Sequence, residues 1–533
     1  FYNGVATQSL RFDQDSSTYL TRTPSSAGDK KTWTWSGWIK RASLISGSPY
    51  SGFGIIFAGG NEQNMWAIPA NCTMIAYWIN TEQLVVLGSG NTVLRQTSAR
   101  QRDLSAWYHF VVAMDTTQST ANNRTKVYIN GVQQTSFDTT NNVSQNTDLN
   151  INETSNHLIG GQQTSNIGSY MNMYLAETNF VDGTALDASY FGETKNGVWI
   201  PKRYTGSYGT NGFRLQFNQT GTGTASTSTI GADTSGNTNH WTSSGIVASD
   251  CAMPDSPENN FAIMNATNTN TNLNLSEGNL KIIPANYNDY YRSMSTLSIP
   301  TSGKWYWEVR LFVAPYVYQF GLYDVNGSTN QRATTVAASV TSGQLDYQVL
   351  LNDGTASINT QISVEGAAFG AWTSDTFGDG DVASFAYDAD NNKMWMAKNG
   401  TFLNTSGTAN PATGADPRFT PAANTEYYVG ASMPNPASGG AMFNFGQDST
   451  FTGQETATSN ADANGIGAFH HAPPTGFLSL CTSNLPEPTI GANSDTQADD
   501  HFNTVLYNGT NGTNNVSGVN FQPDFVWIKR RND

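Results

Sequence analysis

The residues of this sequence best equipped for chemistry are aromatic, and the chemistry they offer is stacking. The stretch "KKTWTWSGWIKRA" places Trp33, Trp35 and Trp38 close together, and "MWAIPANCTMIAYWIN" adds Trp66, Tyr77 and Trp78. Aromatic faces attract the C–H faces of pyranose rings, so Trp38, Trp66, Tyr77 and Trp78 could line a glycan groove. The competing reading is burial, because Trp is highly buried on average. On a strand, Trp33 and Trp35 share one face. Trp38 takes the other unless Gly37 introduces a bulge.

Other chemistries find less support. Cys72, Cys251 and Cys481 lie far apart and form no CxxC spacing, which suggests neither a disulfide framework nor a zinc site. Only 13% of residues are charged and the net charge is -15. That acidity argues against nucleic acid, whose phosphates require clustered Lys and Arg. Asn, Thr, Ser and Gly fill the polar positions, a neutral surface suited to an extracellular or particle-borne protein. No window approaches the length of apolar run that a membrane helix needs, and "FYNGVATQSL" lacks the basic end and apolar run of a signal peptide. No membrane insertion is expected. The missing initiator Met and the ending "VWIKRRND" suggest processing at both ends or a fragment of a longer chain. The sequons at Asn123, Asn142 and Asn265 are of the kind a chain this rich in Asn, Ser and Thr produces by chance.

The elements that must position the aromatics are strands. Short alternating runs such as "YHFVVAMD", "TKVYING", "KWYWEVRLFV" and "VASFAYD" are separated by Gly, Asn, Asp or Pro clusters. Only "ALDASYFGE" reads as a helical turn or two. An all-β chain of tandem sandwiches or jelly rolls is expected. Its length exceeds what one core serves. "NQTGTGTASTSTIGADTSGNTNH" and "GQETATSNADANGIGAFHHAPP" hold too little apolar surface to offset the entropy of ordering. They read as linkers, over 218–258 and 451–498. The units are then 1–217, 259–450 and a piece from 499 to 533 that begins a further β module.

"WYHFVVAMDTTQSTANNRTKVYINGVQ" is a strand, a loop and a strand closed by Asn130-Gly131. With "TWTWSGWIKR" and "MNMYLAETNFVDGTALDASYFGE", it resembles the laminin-G-like branch of the concanavalin A-like lectin and glucanase fold, over most of 1–217. The resemblance implies a two-sheet jelly roll, with Trp33 and Trp35 in its core. Glucanases of that fold carry carboxylates spaced ExDxE or ExDxxE on one strand. No Glu here, including Glu62, Glu82, Glu153, Glu177 and Glu308, begins such a triplet, so no enzyme is expected. Some laminin-G modules hold calcium with carboxylate and carbonyl oxygens, which makes Asp115, Asp138 and Asp182 candidate ligands. Isolated loop aspartates are more often turn formers. No other cofactor is implied.

"SGKWYWEVRLF", "QFGLYD", "GDGDVASFAYDADNNKMWMAKNGTF" and "EYYVGASMPNPASGGAMFNFG" follow in an order and spacing that resemble a SPRY domain. That resemblance implies a bent β-sandwich used for recognition. The variable loops at one end would carry it, with Tyr316 and Tyr318 as candidate glycan contacts and strand packing as their alternative. Across the chain, "FGETKNGVWIPKRYTGSYGTNGFRLQF", "DTSGNTNHWTSSGI", "NNFAIMN" and "FQPDFVWIKRR" resemble bacteriophage structural proteins of the tail-fibre or adhesin kind. The expectation is a non-catalytic protein at the virion surface. Its partners would be host-surface polysaccharide and other virion proteins, and it would act as a homo-oligomer, with a homotrimer the form expected. The alternative is a purely architectural virion protein, a fibre, spike or capsid decoration. A glycan hydrolase is the remotest reading.

Overall fold

The structure, a computed structural model, describes residues 3–43, 53–60, 72–78, 81–88, 92–161, 170–269, 273–284, 290–312, 318–324, 347–351, 360–364, 370–373, 377–403, 408–434, 439–487 and 500–530. Strands dominate them, as the alternating runs predict. "ALDASYFGE" forms a single helical turn, Ala188–Tyr190, begun by the Asp187 carboxylate accepting from Ser189 N–H. Among the described residues, no helix is long and apolar enough to cross a membrane.

The first sandwich has a seven-stranded and an eight-stranded sheet. The first runs Leu10–Phe12, Met173–Asp182, Thr32–Arg41, Tyr108–Asp115, Thr125–Ile129 and Val132–Gln133, with Phe213–Leu215 also beside Met173–Asp182. The second runs Phe137–Thr140, Thr92–Arg100, Gln83–Gly88, Cys72–Trp78, Phe53–Gly60, His157–Ile159, Tyr19–Arg22 and Thr242–Ser244. Trp33, Trp35 and Ile39 point into the core between the sheets, with Phe57, Tyr77, Phe110 and Phe180. Strand Thr32–Arg41 pairs with Tyr108–Asp115 without interruption from Thr32↔Asp115 to Ile39↔Tyr108, so Gly37 makes no bulge. The bulge lies on the other neighbour, between Ala176 and Asn179, where Glu177 has φ +41°. Gly37 serves a different end: a Cβ there would lie 2.7 Å from the Trp35 ring, which folds over it.

The second sandwich repeats the plan. One sheet contains Leu273–Ser276, Lys281–Pro284, Gly440–Asn444, Lys304–Phe312, Val382–Asp388, Lys393–Lys398 and Thr401–Phe402. The other contains Tyr290–Ile299, Tyr427–Pro434, Tyr318–Asp324, Tyr347–Leu351, Thr360–Val364 and Gly370–Thr373. Trp305, Trp307 and Val309 enter the core between them, as alternation requires, while Tyr306 packs on the outer side with Trp395, Phe469 and Phe477. Asn130-Gly131 and Asn399-Gly400 turn their hairpins with both residues at positive φ, the combination that a tight two-residue turn demands.

Both stretches read as linkers are corrected by the packing. Within 218–258, Ile230, Trp241, Ile246 and Cys251 belong to the first core, and Thr242–Ser244 extends the eight-stranded sheet. Within 451–498, Leu478–Ser479 pairs in parallel with Lys304–Phe312, and Phe469 and Phe477 cover that sheet's outer face. The error has a physical source. A few large apolar residues, widely spaced among Thr, Ser and Gly, are enough to anchor a strap when a sheet waits to receive them. Residues 500–530 carry no strand, and Phe502, Leu506, Phe525 and Trp527 are exposed.

Candidate functional site

The sequence candidates separate by parity. Tyr77 points inward, fully buried, with its ring edge-on to Phe110 at 5.8 Å and the Arg41 guanidinium 4.4 Å above its centre. It is core, which removes it as a sugar platform. Trp38 points outward yet is only 4% exposed, stacked on His109 at 4.8 Å. It too is covered. Trp78 takes the opposite side of its strand from Tyr77 and is half-buried against Phe53 at 5.2 Å. Around it, the outward positions of the sheet are Phe53, Ile55, Ala58, Cys72, Met74, Ala76, Val85, Leu87 and Val93. A solvated sheet face is ordinarily polar; this one is apolar and buried at each of these positions, a second small core with Trp78 packed against its edge. Trp66 and Tyr316 lie outside the described residues. Of Tyr318 only the backbone is described, opposite Leu351 at the start of its strand.

The cover over Trp38 resembles a catalytic pair. Ser36 Oγ lies 2.9 Å from His109 Nε2, and Trp199 Nε1 lies 3.0 Å from His109 Nδ1. An indole N–H can only donate, so Nδ1 accepts and the ring proton sits on Nε2, pointing at Ser36. A general base needs the reverse tautomer, with a lone pair toward the hydroxyl. Burial also pushes His109 down to about 3, so it stays neutral. The Trp38–His109–Trp199 stack therefore holds the hairpin of strands Gly192–Lys195 and Val198–Pro201 against the sheet, and that tautomer gives Ser36 no base.

The carboxylates are equally committed. Asp115 accepts from the Thr117 N–H and hydroxyl and from Gln118, Asp138 from Gln83 and Ser98, and Asp182 from the Asp29 and Asn211 N–H groups. All three act as anchors for turns and neighbouring strands. Among the described residues no group of three His, Cys, Asp or Glu could hold a metal. Glu177 is clamped by Arg214 through two bonds of 2.6 and 3.0 Å. Glu308, fully buried, accepts from the Tyr306 hydroxyl (3.1 Å), the His471 N–H (2.7 Å), the His470 N–H (2.8 Å) and the Asn444 amide (3.1 Å). Despite these donors, burial lifts it to about 7.

Sequence reasoning missed the junction between the sandwiches. Arg11, wholly buried, gives two bonds to Asp250 (3.0 and 2.8 Å) and faces Glu277 at 3.2 Å and Asp448 at 3.6 Å. Nearby, Lys40 meets Asp255 at 2.8 Å, Asn260 at 2.6 Å and the Phe261 carbonyl at 3.0 Å, while Tyr174 donates to the Gly278 carbonyl. The one legible signal was the parity of "WIKR", which puts Lys40 on a face with Trp38, where a lone cation needs a partner.

Comparison with known proteins adds little that bears on function. A family model described as a domain of unknown function (DUF7483) matches residues 497–533. A search of the curated proteins found no match. Among solved structures, the SPRY domain of human HERC1 is similar at 12% identity and a TM-score of 0.24, over 35% of this chain and 97% of that one. A heptameric SAP-like pentraxin from Limulus polyphemus aligns at 17% identity and 0.25, over 34% and 79%. A protein from Bacteroides ovatus, described provisionally as carbohydrate-binding, aligns at 13% and 0.30, over 45% and 59%. These scores place the chain in no family, and the reading of function rests on its own residues.

Proposed function

We propose that this chain is a non-catalytic glycan-binding protein of a virion surface, presenting two fused β-sandwiches to host polysaccharide. The observation that carries the reading is Trp78. It is the one nominated aromatic with a described side chain that is not fully packed away, and it sits on Phe53 at the edge of a buried apolar cluster on the outward side of its sheet. A partly exposed indole backed by a second ring is an arrangement on which a sugar ring can stack. The committed carboxylates and the tautomer of His109 speak for binding over catalysis. Single-site affinity for a sugar is weak, and many copies on a particle, or a homotrimer, would raise it through effective concentration.

The test is a glycan array and host-cell binding assay with multivalent display of the chain, comparing wild type with Trp78→Ala. Binding that falls at least tenfold in the variant, with an unchanged melting temperature, supports the reading. No wild-type binding to host cells or their polysaccharides removes it. A second reading, an architectural virion protein, is favoured by the exposed apolar residues Phe525 and Trp527, each 81% exposed. Contact of that segment with another virion protein, seen by imaging the intact particle, would support it.

A further inference from the structure

We infer that Lys40 and Asn260 become joined by an isopeptide bond, formed by the chain on itself, which ties the first sandwich covalently to the segment leading into the second. Lys40 lies near the end of strand Thr32–Arg41 with its side chain wholly buried. Its Nζ is 2.6 Å from Asn260 Oδ1, 2.8 Å from Asp255 Oδ2 and 3.0 Å from the Phe261 carbonyl. Asn260 is held with its NH2 turned away, donating to the Ser105 carbonyl at 2.6 Å, and its backbone N–H donates to Thr482 Oγ1 at 2.9 Å. The carbonyl end of the amide therefore faces the amine, with Cγ one bond beyond Oδ1, and a shift of Nζ over the amide plane brings its lone pair onto Cγ. Because Cγ is bonded to Oδ1, the hydrogen bond already holds nucleophile and electrophile together, and such proximity replaces most of the entropy a bimolecular reaction would lose.

The surroundings supply the proton chemistry. Asp255 is fully buried and its second oxygen accepts from Trp107 Nε1 at 3.2 Å. The Tyr174 ring lies 5.8 Å from Nζ, with Trp107 edge-on to it. In this apolar setting burial pulls Lys40 down and pushes Asp255 up, both toward the neutral pair of amine and carboxylic acid. The proton moves from Nζ to Asp255, and the Nζ lone pair forms a bond to Asn260 Cγ. Asp255 carries protons from Nζ to Nδ2, and the Cγ–Nδ2 bond breaks with its electrons leaving on nitrogen. In sum, one lysine ammonium and one asparagine amide give one secondary amide and one ammonium ion. Atoms and charge balance, and no oxidant or cofactor enters. Asn260 is only half-buried, which gives the departing ammonia a way out. The other buried Lys and Arg side chains among the described residues, Arg11, Arg41, Arg95, Arg124, Arg214 and Arg310, are guanidiniums, which cannot be deprotonated for attack in this way.

The test is mass spectrometry of the full chain, intact and after digestion. The expected result is a mass lower by one ammonia, with a branched peptide joining the Lys40 and Asn260 segments. Lys40→Arg and Asn260→Ala, shown to be folded by circular dichroism, should have the full mass and no branched peptide. Asp255→Asn, close in shape, should slow the reaction at least tenfold. On a denaturing gel the wild type, closed into a loop spanning 220 positions, should run ahead of Asn260→Ala. An unmodified mass in folded wild type overturns the inference, as does a lost ammonia without the branched peptide. Loss of water instead of ammonia would put the bond on Asp255 and overturn the assignment to Asn260.

Discussion

Replacing Glu308 with Gln tests how the second sandwich keeps its strap. The carboxylate fastens His470 and His471, from the stretch that follows the last long strand, to Tyr306 and Asn444 of the sheet. In Glu308→Gln the amide oxygen can still serve the His470 N–H and Asn444, and its nitrogen can face Tyr306 if the hydroxyl turns to accept. The His471 N–H is then left without a partner, at a cost of about 1–3 kcal/mol. Wild-type stability also depends on pH through this group. Its folded value, about 7, lies above the ordinary 4.5. The stability linked to the proton is therefore fully present below the unfolded value and is lost as pH rises through the folded one. The gap corresponds to about 3 kcal/mol. Urea titration of both proteins between about pH 5 and about pH 8, with hydrogen exchange of the strap peptides, reads the effect. The wild type should lead clearly in acid, and the lead should shrink or reverse by about pH 8. A constant gap across the range would refute the assignment of a raised, titrating Glu308.

Trp241→Ala should cost about 3–5 kcal/mol in denaturation, because that indole is buried edge-on to Phe213 at 5.0 Å; a true linker residue would cost nothing. Arg11→Met should cost about 3–5 kcal/mol, by leaving Asp250, Glu277 and Asp448 without their counter-charge; added salt should barely rescue it, since buried charges are poorly screened. Gly37→Ala should cost about 1–3 kcal/mol, because its methyl group meets the Trp35 ring, and calorimetry of the chain would show it.

Strand positions and inner faces were legible because a period of two is a local property. Trp33 and Trp35, then Trp305 and Trp307, declare their side by spacing alone. Which outward aromatics stay uncovered was not legible, because covering is done by chain far away. Trp199 caps the face that Trp38 shares with His109 from a hairpin strand some 160 positions on. The junction failed for the same reason. Lys40 and Arg11 find their carboxylates more than 200 positions away, and nothing near either residue announces a partner. The straps failed by composition, since Trp241 and Phe469 are single anchors in polar surroundings that no windowed average detects.

Trp241 also orders events during synthesis. The eight-stranded sheet takes its last strand from Thr242–Ser244, and the seven-stranded sheet's first strand takes the counter-charge of Arg11 from Asp250. A ribosome making about 5–20 residues each second therefore holds a nearly complete but unsealed first sandwich for several seconds, with Phe57 and Phe213 lacking their indole neighbour. During that interval the nascent chain is a substrate for holding factors and a hazard to neighbouring copies on the same message. Translation stalls that leave Phe217 outside the exit tunnel but Trp241 and Asp250 still within it would lengthen the exposure, whereas stalls after both have emerged would find it already closed.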